Sequence, residues 1–517
     1  MERRLLLSLL VAAILSGSLT SCYKDLSTEA TIEIPDLTIE GVPAEMSILY
    51  GEEIVIEPVV HQEGRGGDSF EYLWTIDLVP GSYAQRIEIG TEKTLQYKVS
   101  NKPSDAAYVL RLDVTDKQTG LVKVAYSKVY VGSSLGEGLL VAYTRDGGAT
   151  SEFDLLANKY VTYGYESDEP RYTREIHALA NNKAFREKVN AICEIVDTDG
   201  SSLNENRILI GTDNHIYSYD PMTFVQNAAD ANLFYSNTIT EFGTSTIFNF
   251  AGYSNGAIIG GRAFGMLCII DRQYSLLNLG LEPGDVFKPT NIAYGMMPSR
   301  GHLAVFDETR SKFFFITGWN ATQASFSEVN VDLAFSLADN VCVGGGCSRN
   351  QSLCFLLRSP EGAYHVCILD VQGAAPMCKA YEVENEAMDN IVTVAFCDNC
   401  DIMYFATTDA IYSTILADGR VSTRKVSWSP DSPDEKITCI RQYVQGWYGT
   451  HQYNLDDYPF QLETNRLQLI ITTYNEKTGE GKIYLRPFNV STGLFTSKNN
   501  GTYGGFGEIT ALCPTFR

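Results

Sequence analysis

The sequence is poor in the residues that do most catalytic work. Six histidines are spread over 517 residues, at 61, 177, 215, 302, 365 and 451. There is no H-E-x-x-H and no pair at helical spacing, which excludes the helical zinc-protease motif; a phosphate-cradling glycine loop is missing too. Basic residues are scarce against acidic ones, 40 against 63, for a formal net charge of −23. That balance argues against nucleic acid as a partner and against electrostatic adhesion to anionic lipid. Beyond residue 21 no run approaches about 18 continuous apolar residues, so no transmembrane helix is expected. Helical periodicity is nearly absent as well, its best case lying over Thr173 to Val189.

What is present points to strands. Tyrosine (30), phenylalanine (24) and glycine (43) are abundant, and short β-branched or aromatic runs alternate with Asp, Asn and Gly, an all-β pattern. Some 495 residues remain after the leader described next, roughly twice what one compact core usually serves, so two or more units are expected.

The leader is Met1 to Ser21: a basic start with Arg3 and Arg4, then an apolar run from Leu5 to Leu15. At about eleven residues that run suits the h-region of a signal peptide rather than a span. Leu19-Thr20-Ser21-Cys22 resembles the bacterial lipobox. The resemblance implies that Cys22 receives diacylglycerol and becomes the mature N-terminus, with residues 1–21 as signal peptide and 22–30 as a lipidated tether. Each buried methylene contributes about 0.8 kcal/mol, and two chains anchor stably where one does not.

Residues 31–132 form the first unit, with strands expected at Glu53–Val59, Phe70–Ile76, Lys93–Val99, Tyr108–Thr115 and Leu121–Val131. In "YVLRLDVTD" Tyr108, Leu110, Leu112 and Val114 share one face, and Arg111, Asp113 and Thr115 the other. Such spacing suggests an immunoglobulin-type sandwich with Trp74 in its core. "YLW" (Tyr72–Trp74) and "YVLRLDVTD" (Tyr108–Asp116) resemble PKD-like domains of bacterial surface proteins, which implies a spacer or adhesion role.

After a linker at 133–137, residues 138–517 read as a repeat. Seven copies of strand–turn–strand begin near Gly138, Arg207, Gly256, His302, Ser352, Ile402 and Leu467, at intervals of roughly 45–70 residues, the range of propeller blades. A leading strand precedes each copy except the first, and the chain ends with an orphan, "GEITALCPTFR". The expectation is a seven-bladed β-propeller whose C-terminal strand, Ile509–Cys513, closes the first blade and removes the sheet edge.

Cys193, Cys342, Cys397, Cys439 and Cys513 hold similar places in five leading strands, where small, semi-apolar side chains suit a crowded interior. Disulfides at Cys397/Cys400 or Cys342/Cys347 are the alternative in an exported protein. A single C-x-x-C carries little weight for a metal. No metal ligand, cofactor or catalytic residue is assigned. "GGGCSRN" (Gly344–Asn350) reads as a glycine-rich inner turn, and Asp213, Asp307 and Asp370 as turn aspartates. Carboxylate pairs contributed by different blades leave a glycoside hydrolase or lyase as an alternative, since spacing cannot reveal them.

For recognition, an insertion at Gln445–Asn465 gathers Trp447, Tyr448, Tyr453, Tyr458 and Phe460. Such rings could stack on sugars or take peptide side chains, or merely staple the loop. Trp319 in "TGWNATQ" is a similar candidate, and Ala157–Asn190 reads as a second, partly helical insertion at a rim. As a whole the chain resembles the PKD-like-family lipoproteins of Bacteroidetes. The resemblance implies outer-membrane localisation and, through Lys24 and Asp25 after the lipidated cysteine, display at the cell surface. It also implies a non-enzymatic accessory or substrate-binding role beside a TonB-dependent outer-membrane transporter and its substrate-binding lipoprotein, in uptake of an oligosaccharide or peptide.

Overall fold

A computed structural model describes residues 35–82, 85–104, 106–133, 135–195, 207–234, 240–250, 254–259, 262–266, 274–276, 289–295, 302–320, 323–349, 352–370, 376–416, 421–445 and 461–515. The chain folds as two units, and the principal division falls between Val129 and Tyr130.

The first unit is a β-sandwich. Its larger sheet has Phe70–Asp77, Tyr108–Asp116 and Val122–Gly132 at the centre, flanked by Glu45–Leu49 and Arg86–Gly90. Two-stranded pairings join Thr38–Glu40 to Val59–His61, and Glu53–Ile56 to Leu95–Lys98. The alternation read in "YVLRLDVTD" is realised: Tyr108, Leu110, Leu112 and Val114 are buried against Trp74 and Ile76. The Trp74 indole N–H donates to Glu92 O over 3.0 Å, which satisfies the one polar atom that burial strands. Asp116 closes the tight connection, accepting from Gln118 N at 2.9 Å and Thr119 Oγ1 at 2.6 Å.

In the second unit the described strands form seven sheets, antiparallel throughout but for a two-residue parallel pairing of Asn330–Val331 with Met377–Glu382. Blade 1 takes its inner strand from the C-terminus. Glu508–Thr515 pairs with Gly138–Thr144, which continues to Glu152–Ala157 and Arg171–Thr173. Blades 2 to 7 begin at Val189, Thr244, Pro289, Val341, Thr393 and Lys436. Each inner strand packs on a strand of the next blade, and blade 7 packs back on Glu508–Thr515, so the ring is closed. The expected closure is thus present, two residues longer at the C-terminal end and one at the start. Thr515 Oγ1 locks it by donating to Gly136 O at 2.9 Å.

Apolar clusters fill the wedges between blades. Phe153, Phe185 and Phe224 lie between blades 1 and 2, and Phe306, Phe313 and Phe355 between blades 4 and 5. Leu139, Tyr143 and Phe506 fill the closing wedge between blades 7 and 1. His177 is enclosed by Phe153, Phe185 and Tyr219. Burial, aided by Lys183, pushes its pKa down to about 4, so it serves as a neutral aromatic ring.

One irregularity recurs that the sequence reading did not foresee. In blades 1, 2, 3, 4, 5 and 7 the register between the inner strand and its neighbour slips by one residue near the start of the inner strand. The extra residue always sits on the inner strand. A bulge twists a strand and re-aims a side chain, and here it does so at one end of the ring.

Three sequence expectations change. "GGGCSRN" is not a turn: Val341–Cys347 is the inner strand of blade 5. A Cβ on Gly345 would lie 2.7 Å from Ile292 O, and one on Gly346 2.7 Å from Phe396 Cβ, so the glycines let adjacent inner strands approach. The segment Ala157–Asn190 is not simply a rim insertion, because Arg171–Thr173 is the outer strand of blade 1; its helix is confined to Ile176–Asn181. The cysteines of both candidate disulfides are free thiols. Burial, first, and the neighbouring Cys400 thiol push the Cys397 pKa far up, the mark of an inert structural cysteine.

Glu137, at the entry to blade 1, is buried, and Gln445 Nε2 donates to its Oε1 over 2.6 Å. Burial outweighs that bond and raises its pKa to about 7. A carboxyl raised above its unfolded value gives stability that is full below the unfolded pKa and is lost as pH rises through the folded one. Thermal melts of wild type and Glu137→Gln should therefore converge near pH 4.5 and diverge by pH 8, with wild type the lower. A gap independent of pH would contradict this.

Candidate functional site

At the end of the ring where the bulges lie, a cleft of about 590 Å³ opens between blades 2 and 3. Its wall from blade 2 is the turn Asp213-Asn214-His215 together with Asn190, the bulged residue of the inner strand. Blade 3 contributes Thr240 to Ser245, and Ser245 is in turn the bulged residue of that strand. Bulges on adjacent blades thus turn polar side chains into one cavity.

The turn is held by Thr212. Its Oγ1 accepts from His215 N at 2.9 Å and donates to Glu187 Oε2 at 2.6 Å. Glu187 Oε1 also accepts from Tyr217 OH at 2.5 Å. In the Nδ1–H tautomer that Asp230 selects, His215 donates to Asp230 Oδ2 at 2.7 Å. Nε2 then faces Glu187, 3.9 Å from Oε1. Asn190 Nδ2 donates to Asp213 Oδ1 at 2.7 Å. Gly243 makes the floor possible, because a Cβ there would lie 2.2 Å from Asp213 O. Phe242, stacked on Phe234 at 6.1 Å, supplies the aromatic surface.

Blade 7 contains the same staple. Glu435 Oε2 accepts from Thr473 Oγ1 at 3.2 Å and from Tyr484 OH at 2.5 Å. By register Thr473 and Tyr484 stand where Thr212 and Tyr217 stand in blade 2. In these two blades the carboxylate therefore has the same role, tying the loop before the inner strand to the strands of its blade. The fourth position differs. In blade 7 it is Lys482, bound to Glu435 Oε1 at 2.7 Å. Burial opposes the charge on Glu435, but the bonds from Lys482, Tyr484 and Thr473 prevail and hold its carboxyl below the usual range. In blade 2 that position is His215, which turns to Asp230 instead. Among the described residues no lysine or arginine lines the cleft.

The exposed lining is thus amide, carboxylate, imidazole and hydroxyl beside one aromatic ring. Among the described residues the side chains of Asn214 and Glu241 make no hydrogen bond. Such a lining can exchange hydrogen bonds with a hydroxyl-rich ligand, and its volume lies in the range of small-molecule sites. Among the described residues no group of three or more His, Cys, Asp or Glu is placed to hold a metal ion.

Cys22, Lys24 and Asp25, and Trp447, Tyr448 and Tyr453 of the aromatic insertion, fall outside the described residues. The insertion does begin at Gln445, whose N–H donates to Asn465 Oδ1 at 2.8 Å and whose Oε1 accepts from Leu462 N at 3.0 Å. Trp319 lies within strand Lys312–Asn320 of blade 4, opposite Ala324. Sequence reasoning missed Asn190, His215 and Glu241, and took Asp213 for turn chemistry. A usable signal was the polar residue interrupting the apolar run in "VNAIC" and in "TSTIF".

The PKD-like family model matches residues 22–187. A quinonprotein alcohol dehydrogenase-like protein from Bacteroides thetaiotaomicron is similar in structure at 13% identity, covering 93% of this chain and 99% of that one with a TM-score of 0.46. A putative 6-phosphogluconolactonase from Bacteroides uniformis is similar at 9% identity, covering 73% and 99%, with a TM-score of 0.42. Apo AztD from Citrobacter koseri is similar at 12% identity, covering 86% and 98%, with a TM-score of 0.37. No curated protein matches the sequence. At these identities and scores the neighbours say nothing of what this chain binds or does.

The two staples should differ in worth. Glu435→Gln leaves Lys482 without its closest partner and is expected to cost about 1–3 kcal/mol in urea unfolding, more than Glu187→Gln. Equal costs would show that His215 and Lys482 are interchangeable at this position.

Proposed function

We propose that the chain is a lipid-anchored protein of the outer membrane that binds an oligosaccharide or peptide as a non-enzymatic subunit beside a TonB-dependent transporter and its substrate-binding lipoprotein. The cleft between blades 2 and 3 carries the reading. It joins acceptors, donors and one aromatic surface in a cavity of about 590 Å³, and among the described residues no hydroxyl is hydrogen-bonded to the imidazole ring of His215, whose contacts are Asp230 and Glu187. The "LTSC" lipobox and the PKD-like match over residues 22–187 support an anchor and a spacer. The acidic body, at −23, favours neutral or cationic ligands at this cleft over polyanions.

Calorimetric titration with neutral oligosaccharides and short peptides tests the cleft. Asp213→Ala and Asn214→Ala should each weaken binding about tenfold, equivalent to about 1.4 kcal/mol, without lowering the melting temperature, since both side chains are exposed. In solubilised outer membranes the protein should copurify with a transporter, and Cys22→Ser should leave it unanchored. A protein that emerges alone and binds neither ligand class contradicts the proposal; turnover of an oligosaccharide would assign the cleft to a hydrolase or lyase instead.

A further inference from the structure

The larger sheet of the sandwich carries a second cavity, of about 570 Å³, lined by Arg86, Arg111 and Lys128 with Tyr126 and Ser127. Among the described residues three cations and no acid line it, in a chain whose net charge is −23. The sequence reading assigned Arg111 only to a strand face and passed over the others.

Register explains the grouping. Arg86 lies opposite Asp77, and Val109 opposite Lys128; Val109 N donates to Asp77 Oδ2 at 3.1 Å, joining the two pairs in one row. In the adjacent row Arg111 lies opposite Tyr126. Basic side chains from one edge strand (Arg86) and two interior strands (Arg111, Lys128) therefore meet over one region of the sheet.

The arginines are braced from behind. Arg86 Nε pairs with buried Asp77 at 3.3 Å, and Arg111 makes a two-point contact with Asp113, at 2.5 and 2.8 Å. Neither brace uses the whole group. Arg86 Nη1 has no acceptor among the described residues. A guanidinium N–H without an acceptor is left with an uncompensated desolvation cost, which an oxyanion reaching the group would offset. Lys128 forms no ion pair among the described residues. Tyr126, 55% exposed, presents its ring beside these donors.

From this geometry we infer a binding site for one anionic sugar residue, a uronate or a sulfated hexose, on the PKD-like sandwich. Arg86 and Lys128 bind the carboxylate or sulfate, Arg111 adds charge, and Tyr126 takes the sugar face. The site goes beyond the propeller cleft, which has no cation in its lining, and does not depend on it.

The test is calorimetry of the full chain at 50 mM salt with a galacturonate trisaccharide, a sulfated disaccharide, a neutral galactose trisaccharide, inorganic sulfate and anionic phospholipid vesicles. At least one acidic sugar should bind and the neutral one should not displace it. Lys128→Ala and Tyr126→Ala should each weaken binding about tenfold while leaving the melting temperature unchanged, as both side chains are exposed. Affinity should fall as salt rises to 200 mM. No binding of either acidic sugar overturns the inference, as does binding that both variants leave intact. Binding of sulfate as tight as that of the sugars and insensitive to Tyr126→Ala, or preference for the vesicles, overturns the assignment to a sugar.

Discussion

The propeller depends on one strand pairing that joins residues more than 350 positions apart in sequence. Glu508–Thr515 lies against Gly138–Thr144, and through it blade 1 presents an inner strand to blade 2 and to blade 7. Without it, Gly138–Thr144 would be an exposed apolar edge, the kind of surface that invites mispairing. With it, wedges of aromatic residues are enclosed on both sides, and every later feature of the ring inherits its position.

On that scaffold a few local devices recur, the bulge in six blades and the staple in two. The bulge near the start of the inner strand adds one residue and turns a polar side chain away from the ladder. In blade 7 the bulged residue, Thr438, is absorbed internally, bonding Thr472 Oγ1 at 2.7 Å. In blades 2 and 3 the corresponding Asn190 and Ser245 line a cleft. The staple of glutamate, threonine and tyrosine behaves in the same way: closed by Lys482 in blade 7, left open by His215 in blade 2.

Much of the fold was legible because burial imposes period-two alternation. The seven hairpins, the sandwich strand Tyr108–Asp116, the inner-strand cysteines and the closing strand could all be read from apolar patterning. Outer strands such as Gln226–Ala229 and Ser422–Lys425 were not, since they are short, polar and largely exposed. The bulges were hidden because an extra residue shifts register without changing composition. Neither cavity was legible. Asn190, Asp213 and Glu241, or Arg86, Arg111 and Lys128, come together only through sheet register. The aromatic insertion and the lipobox drew attention instead because their signals are contiguous in sequence.

The closure itself is the claim to test, by native-state hydrogen exchange on the full chain and on a chain ending at Gly507. In the full chain, amides of Leu139–Tyr143 should be strongly protected. In the shortened chain that protection should collapse, and with it that of Val189–Ile195, which packs on the missing strand. Protection of both segments at full-length levels in the shortened chain would contradict the account.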